Sequence, residues 1–256
     1  MNANLNRMKK TTPVTAKNFH AIPDLTADHF IKELKKLAKN SSADNARFYK
    51  DDDPSNKMLG NRMAEVFTLA KKFIAMPLAE IERLLESDYY EARLGAVSIM
   101  DFRARDKKLT ATRSKELYDL YLGKHDRINN WDLVDRSAPY VVGGYLFDKS
   151  RTPLYKLAKS TSVWERRTAI VSTYFFIRKN DISDTFKIAA LLINDEHDLV
   201  NKAVGSWVRE AGKKDKEKLL DFLDRYAATM PRVTLRYILE NLDPKQKKYY
   251  MEANKK

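Results

Sequence analysis

Apolar residues recur every three to four positions through most of the chain, the spacing that places them on one side of an α-helix. Segments with this spacing follow one another from about residue 24 onward, and strand-like alternation is nearly absent. Three apolar faces illustrate the pattern: Phe30, Leu34 and Leu37; Ile81, Leu84 and Leu85 after Pro77; and Leu117, Tyr118, Tyr121 and Leu122. The pattern predicts an all-α protein.

Residues typical of helix ends separate these segments. Gly123 follows an apolar face and is predicted to close its helix. Asp88 with Glu91 and Ser162 with Glu165 have the spacing of a capping box, in which two side chains satisfy free amides at a helix start. We therefore predict helices that begin beside Asp88 and Ser162.

Short related sequences recur along the chain and place an alanine beside a branched residue. From Ala96 to Ala169 is 73 positions and from Ala169 to Ala203 is 34, which fits stacked helix pairs of about 35 residues if one repeat near Ala138 lies between. The related sequences are 91–97, 165–170 and 200–204. This HEAT-like period predicts a helical-repeat solenoid that curves and presents a concave, basic face.

The polar breaks in the chain suggest its domain organisation. Residues 1–23 carry four basic residues and, before Asp24, no acid, so we predict a flexible basic arm. The polar segment 50–57 is interpreted as a loop within the body of the protein. Residues 24–256 are therefore predicted to form a single domain, which is expected to be a monomer.

Net charge restricts the partners of this chain. The 48 Lys and Arg residues outnumber the 35 Asp and Glu residues, and the net charge of +13 favours a polyanion such as nucleic acid. No cysteine is present, which excludes disulfides and thiolate chemistry and is typical of a cytoplasmic protein. No stretch has the length and hydropathy of a signal peptide or membrane span, so no membrane partner is expected.

The side chains that could bind or react with a partner are concentrated in the segment 129–135. Trp131 and Asp135 are four residues apart, and positions i and i+4 share a face of a helix. An aromatic ring and a negative charge would then face the same partner. Asp132 lies in the first turn after Asn129 or Asn130, where a carboxylate favours the helix dipole, and we expect no chemistry from it.

Other kinds of site lack their residues in this sequence. The histidines have no metal-ligand spacing, and no glycine-rich phosphate loop is present, because Gly143 and Gly144 fall in an apolar helix-like run. We therefore expect neither a metal nor a cofactor. The stretch 174–176, Tyr-Phe-Phe, is expected to belong to the core, since it lies among apolar neighbours in the middle of a helix.

Three motifs in the same order, 130–135, 164–170 and 202–210, resemble those of the AlkD-like DNA alkylation-repair glycosylases. The resemblance runs from about Asp44 to Glu252. It implies a HEAT-like repeat fold and an enzyme that hydrolyses the N-glycosidic bond of cationic N3- or N7-alkylated purines in duplex DNA without flipping the base. It also implies base excision repair by a monofunctional glycosylase, because no lysine is placed to form a Schiff base.

The resemblance assigns roles to individual residues. Asp135 would stabilise the developing sugar cation and orient water, and Trp131 would lie against the deoxyribose of the lesion. Arg167 falls on the arginine that holds the DNA backbone, and Phe48 falls where the family carries an aromatic residue near the DNA. Arg166 is a further candidate for DNA binding, but neighbours on a helix point about 100° apart, so either Arg166 or Arg167 is expected to be solvated or salt-bridged.

The third motif departs from the family pattern. The family has Gly-Trp, whereas here Gly205 is followed by Ser206, and Trp207 comes one position later. Both residues are DNA-binding candidates, although Trp207, like Trp164, could also be a packing residue. The departure affects the expected lesion range and rate.

Three functions therefore stay open on the sequence. The first is a glycosylase that uses Trp131, Asp135 and Arg167. The second is a non-catalytic DNA-binding member of the same fold, which Ser206 favours and which would bind damaged or branched DNA. The third is a protein-interaction scaffold, the commonest use of helical repeats.

Overall fold

The computed structural model describes residues 24–38 and 56–253, and these form α-helices joined by short turns. The predicted basic arm, 1–23, and Phe48 lie outside the described residues. The helices are α1 (Ala27–Ala38), α2 (Met63–Lys72), α3 (Leu78–Leu85), α4 (Tyr90–Ala104), α5 (Ala111–Gly123), α6 (Trp131–Ala138), α7 (Gly144–Leu146), α8 (Thr152–Leu157), α9 (Val163–Arg178), α10 (Ser183–Leu191), α11 (Asp198–Gly212), α12 (Lys216–Tyr226), α13 (Arg232–Leu239) and α14 (Pro244–Ala253). A 3₁₀ turn, His125–Arg127, precedes α6, and a π-helical turn, Pro139–Gly143, follows it.

The helices form two layers. Helices α2, α4, α6, α9, α11 and α13 pack against one another in chain order and form an inner layer. Helices α3, α8, α10 and α12 each pack against this layer from outside, and α5 packs mainly on the π-helical turn. The inner helices from α6 onward begin at Trp131, Val163, Asp198 and Arg232, which matches the predicted period of about 35 residues. The predicted all-α helical-repeat fold is confirmed, whereas a concave basic face stays a prediction.

Small residues let the inner helices approach closely. A Cβ atom at Gly205 of α11 would lie 2.8 Å from the carbonyl oxygen of Thr234 on α13. Gly143, in the π-helical turn, has the same relation to α9, where a Cβ atom would meet the carbonyl of Ser172. Ala169 and Ala203, at the repeat positions, are buried as expected. Larger side chains at these positions would push the repeats apart.

One of the two predicted capping boxes is half formed and the other is absent. At the first, the amide of Ser162 donates to Ser160 Oγ and not to Glu165. Ser162 caps α9 and accepts a hydrogen bond from the amide of Glu165. Helix α4, by contrast, begins after Tyr89, which makes no side-chain cap. Asp88 instead pairs with Lys57 at 2.8 Å. The ion pair removes Asp88 from the helix end.

The carboxylate of Glu91, the second member of that predicted box, also has another partner. It accepts hydrogen bonds from the amides of Leu59 and Gly60, at 3.0 and 2.7 Å. These contacts hold the segment before α2 against the start of α4.

Among the described residues, no helix is long and apolar enough to span a bilayer.

Candidate functional site

Trp131 and Asp135 lie on the same face of α6, as their spacing predicts. The side chain of Asn130 caps this helix and accepts a hydrogen bond from the amide of Trp131 at 2.7 Å. The cap starts the helix at Trp131, so Asp135 follows one turn later. Both side chains line one surface cavity of about 630 Å³, and Trp131 is half-buried.

The carboxylate of Asp135 is held by Arg167 from α9. Arg167 Nε lies 3.0 Å from Asp135 Oδ1, and Arg167 Nη2 lies 2.8 Å from Asp135 Oδ2. Arg167 Nη1 donates to the carbonyl oxygen of Leu199 in the first turn of α11. The Arg167 side chain is only 8% exposed, whereas Asp135 is 33% exposed. A bidentate pair of this kind fixes the plane of the carboxylate and leaves its edge open to the cavity.

Arg166, the neighbour of Arg167, lies outside the cavity. Its guanidinium pairs with Asp195, with an Nε to Oδ2 distance of 2.6 Å, and also donates to the carbonyl oxygens of Ser160 and Thr161. The expectation that one of the two arginines is salt-bridged away from the cavity is met by Arg166, because a helix turns about 100° per residue.

The opposite wall of the cavity comes from α11 and α9. Ser206 and Trp207 both line it and are half-buried. Trp207 packs against Tyr174, with ring centroids 4.8 Å apart and planes tilted by 35°. Trp164 lies elsewhere and packs edge-on against His197. Trp207 therefore lines the cavity and also packs against the core.

The structure corrects the expectation for the stretch 174–176. Phe176 is buried in the core, but Tyr174 is half-buried and lines the cavity, where Trp207 packs against its ring and Arg178 lies over it at 5.9 Å. Tyr174 follows Arg167 by seven residues, and positions i and i+7 share a helix face. This spacing could have placed Tyr174 at the site if Arg167 had been taken as its reference.

Two further cations line the cavity, although neither was a candidate from the sequence. Lys202 pairs with Asp198, one turn earlier on α11. Arg209 pairs with Glu240 and lies 3.7 Å from Glu210. Together with Arg167 they are three basic side chains that line the same cavity as Asp135, and each is paired with an acidic side chain.

Asp132 is about 60° around the helix from Asp135, and its side chain turns into the interior toward α4 and not into the cavity. It is buried, as is Tyr90 of α4, whose hydroxyl donates to Asp132 Oδ1. Burial raises the pKa of Asp132 to about 6. The predicted position in the first turn is correct, but the side chain meets Tyr90 in the interior and is not at the solvent. It takes no part in the cavity.

Within the described ranges, 24–38 and 56–253, no group of three or more His, Asp or Glu side chains is arranged to hold a metal ion. Phe48 belongs to the segment that the structure does not describe, so its predicted role stays a prediction. The cavity is thus lined by aromatic rings, by the carboxylates of Asp135 and Glu210, and by paired cations.

Paired inner and outer helices, with a cavity across successive inner helices, define a helical-repeat protein. A family model described as DNA alkylation repair enzyme matches residues 30–242. The chain belongs to this family, which confirms the resemblance found in the sequence.

A solved structure shows the same fold. A predicted DNA alkylation repair enzyme from Enterococcus faecalis is 15% identical, with a TM-score of 0.58 over 86% of this chain and 97% of its own. AlkD2 from Streptococcus mutans is 17% identical, with a TM-score of 0.47 over 89% of this chain and 98% of its own. No curated protein matches the chain.

Proposed function

We propose that the protein is a monofunctional DNA N-glycosylase that excises cationic N3- or N7-alkylated purines from duplex DNA without flipping the base. One observation carries the proposal. The accessible carboxylate of Asp135 lines one cavity together with Trp131 of its own helix and with the Tyr174–Trp207 pair of α9 and α11.

Because the damaged base is cationic, these side chains are sufficient to cleave its N-glycosidic bond. A cationic alkylated purine is already a good leaving group, so its departure needs no general acid. The sugar that remains develops positive charge, and a fixed carboxylate stabilises that charge more in the transition state than in the ground state. Asp135 supplies the charge and orients the attacking water, and Trp131 lies against the deoxyribose.

Arg167 supports this reaction through Asp135. The resemblance implies that Arg167 contacts the DNA backbone. In the structure, however, all three of its guanidinium nitrogens donate to protein partners, namely Asp135 and the Leu199 carbonyl. We infer that Arg167 holds the carboxylate in the plane that faces the sugar. Lys202 and Arg209, which line the same cavity, are then the side chains placed to meet phosphates.

The same geometry supports base release without strand cleavage. A lyase needs a neutral amine that attacks the sugar and forms a Schiff base. Lys202 is the lysine that lines the cavity, and its ammonium group is paired with Asp198. A paired ammonium group is a poor nucleophile, so water is the proposed attacking group. The proposed site of action is DNA in the cytoplasm, with the protein as a monomer.

The decisive experiment incubates the protein with duplex DNA that carries N7-methylguanine and N3-methyladenine and measures free base by mass spectrometry. Release by the wild type and its loss in Asp135→Asn would support the glycosylase. Tight duplex binding with no release by the wild type would instead favour a non-catalytic DNA-binding protein. Ser206 motivates that second candidate, because it leaves no ring at the position where the family carries tryptophan.

A further inference from the structure

Two arginines share one buried carboxylate at the end of the inner helix α4. The side chain of Asp101 is fully buried. Arg105, which directly follows α4, donates through Nε to both carboxylate oxygens of Asp101 at 2.8 Å. Arg136 of α6 meets the same group, with 3.2 Å between its Nη2 and Asp101 Oδ2. One carboxylate therefore meets two guanidinium groups, and the cluster keeps an excess of positive charge.

The surroundings of the two arginines decide which of them presents that charge. Arg136 lies over the rings of Phe67 and Phe102, 4.6 Å from each centroid, and is only 19% exposed. Arg105 is 42% exposed. Only its Nε donates a hydrogen bond to the described part of the chain, so its two terminal nitrogens are available to a ligand. Arg105 is thus the accessible cation of the cluster.

Tyr140, in the π-helical turn, fixes the plane of the Arg105 guanidinium. The centroid of its ring lies 3.7 Å from Arg105 Cζ, the separation of a stacked cation–π pair. The ring and the bonds to Asp101 together hold the guanidinium in one place, so little rotamer freedom is lost when its free edge binds a ligand. A planar fork of donors matches the oxygens of a phosphate group.

The same ring connects Arg105 to the helix beside the cavity. Tyr140 meets Phe175 of α9 edge-on, with ring centroids 5.5 Å apart and planes at 89°. Helix α9 also contributes Tyr174 and Arg167 to the cavity. Arg105 is therefore separated from α9 by a single aromatic ring, although it does not line the cavity itself.

A further cation lies close to the two arginines. Lys71 of α2 lies over the ring of Phe102, at 5.4 Å from its centroid, and Arg136 lies over the same ring. Lys71 is exposed, and within the described ranges it forms no ion pair with a carboxylate. Several positive charges on neighbouring inner helices, with one carboxylate between them, suit a polyanion better than a single small anion.

We propose that Arg105 binds a backbone phosphate of duplex DNA and extends the DNA contact from the cavity to α4. This inference rests on the proposed function, because it takes duplex DNA as the substrate. The competing explanation is that Arg105 only neutralises Asp101. Arg136 already pairs with that carboxylate, so neutralisation does not require a second arginine.

Arg105→Gln tests the proposal, because it removes the accessible charge while Arg136 still pairs with Asp101. The affinity for undamaged duplex is measured at several salt concentrations, since a phosphate contact needs no lesion. The slope of log affinity against log salt should become shallower by about one, and the affinity at about 0.1 M salt should fall about tenfold. Arg105→Lys keeps the charge and should keep the slope.

Arg113→Gln is the matched control. Arg113 also pairs with a carboxylate, Glu116, but it lies on the outer helix α5. Its substitution should change neither the slope nor the affinity. A loss equal to that of Arg105→Gln would show a general effect of net charge and would overturn the proposal.

Tyr140→Leu tests the stack separately, because it removes the ring and keeps every charge. Duplex affinity should fall about threefold with an unchanged slope. Combined with Arg105→Gln, Tyr140→Leu should cause no further loss, since the ring acts only through Arg105. Fully additive losses would overturn this link.

The binding readout keeps this proposal distinct from the glycosylase. An unchanged slope in Arg105→Gln would overturn the proposal and leave Arg105 as a structural partner of Asp101. A wild type without any duplex affinity would overturn it as well. The expected change in slope, together with no base release by the wild type, would support the phosphate contact and refute only the glycosylase.

Discussion

Two neighbouring residues of α6, Asp132 and Asp135, carry the same chemical group in contrasting environments. Asp132 points inward, where burial raises its pKa to about 6 and Tyr90 donates to it. Asp135, less than one turn later, is one-third exposed and is held by Arg167. The comparison teaches that position on the helix, and not residue type, separates a structural carboxylate from a candidate catalytic one.

The largest effect is expected when the outward carboxylate loses its charge. Asp135→Asn preserves the shape of the side chain but removes the charge that stabilises the sugar cation, so base release should fall by about 10²–10³-fold while duplex affinity stays. Single-turnover excision and a binding titration measure the two quantities. Asp132→Asn, on the inner face, is the matched control and should keep wild-type excision. Equal rates for Asp135→Asn and the wild type would refute the assignment.

Arg167→Gln should give the next largest effect, a fall in kcat of about 100-fold, because the carboxylate loses both bonds that orient it. The dependence of duplex affinity on salt tells whether Arg167 also contacts DNA. Its slope should be unchanged if Arg167 only orients Asp135, and should decrease by about one if Arg167 also neutralises a phosphate. Arg151→Gln, which breaks a half-buried pair with Asp184 outside the cavity, is the control.

The buried carboxylate of Asp132 should affect the free energy of unfolding and its dependence on pH. Because the pKa of Asp132 is higher in the folded protein than in the unfolded chain, its ionisation destabilises the fold as pH rises from about 4 to 6, and fully above 6. Asp132→Asn should therefore raise the free energy of unfolding by about 3 kcal/mol at pH 7. Denaturant titrations at several pH values measure this. A gain that does not shrink toward pH 4 would contradict the explanation.

The smallest effect on base excision is expected from a substitution at Ser206 of α11. Ser206→Trp adds a large ring to a cavity that already holds Trp207 and Tyr174. We expect excision of bulky N7 adducts to fall about tenfold relative to N7-methylguanine, because the added ring takes up room beside the substrate. Competition between the two lesions in one duplex mixture measures the ratio. An unchanged ratio would show that the Tyr174–Trp207 pair already fills that part of the site.

Local patterns in the sequence predicted much of the fold and part of the site. The helix face shared by Trp131 and Asp135 depends only on their spacing and on the Asn130 cap, and both are confirmed. Ser162 caps α9 as predicted for the same reason. The bonds concerned join residues within one helical turn, so the sequence contains everything that decides them.

Predictions failed where a distant partner competed with the local one. Asp88 has the spacing of a cap, but Lys57, 31 residues away, pairs with it. Tyr174 lies among apolar neighbours in sequence, yet its ring packs against Trp207 of the next inner helix, and both line the cavity. Neither partner can be recognised from the sequence near Asp88 or Tyr174.

The sequence by itself determined the helices, their period and the joint placement of Trp131 and Asp135, because spacing along a helix fixes which side chains share a face. Only the tertiary structure decided that Arg167 meets Asp135 and that Asp132 faces the interior. Each of those contacts joins residues more than 30 positions apart. Such contacts depend on how neighbouring repeats stack, and the stacking is set by the packing of the whole inner layer.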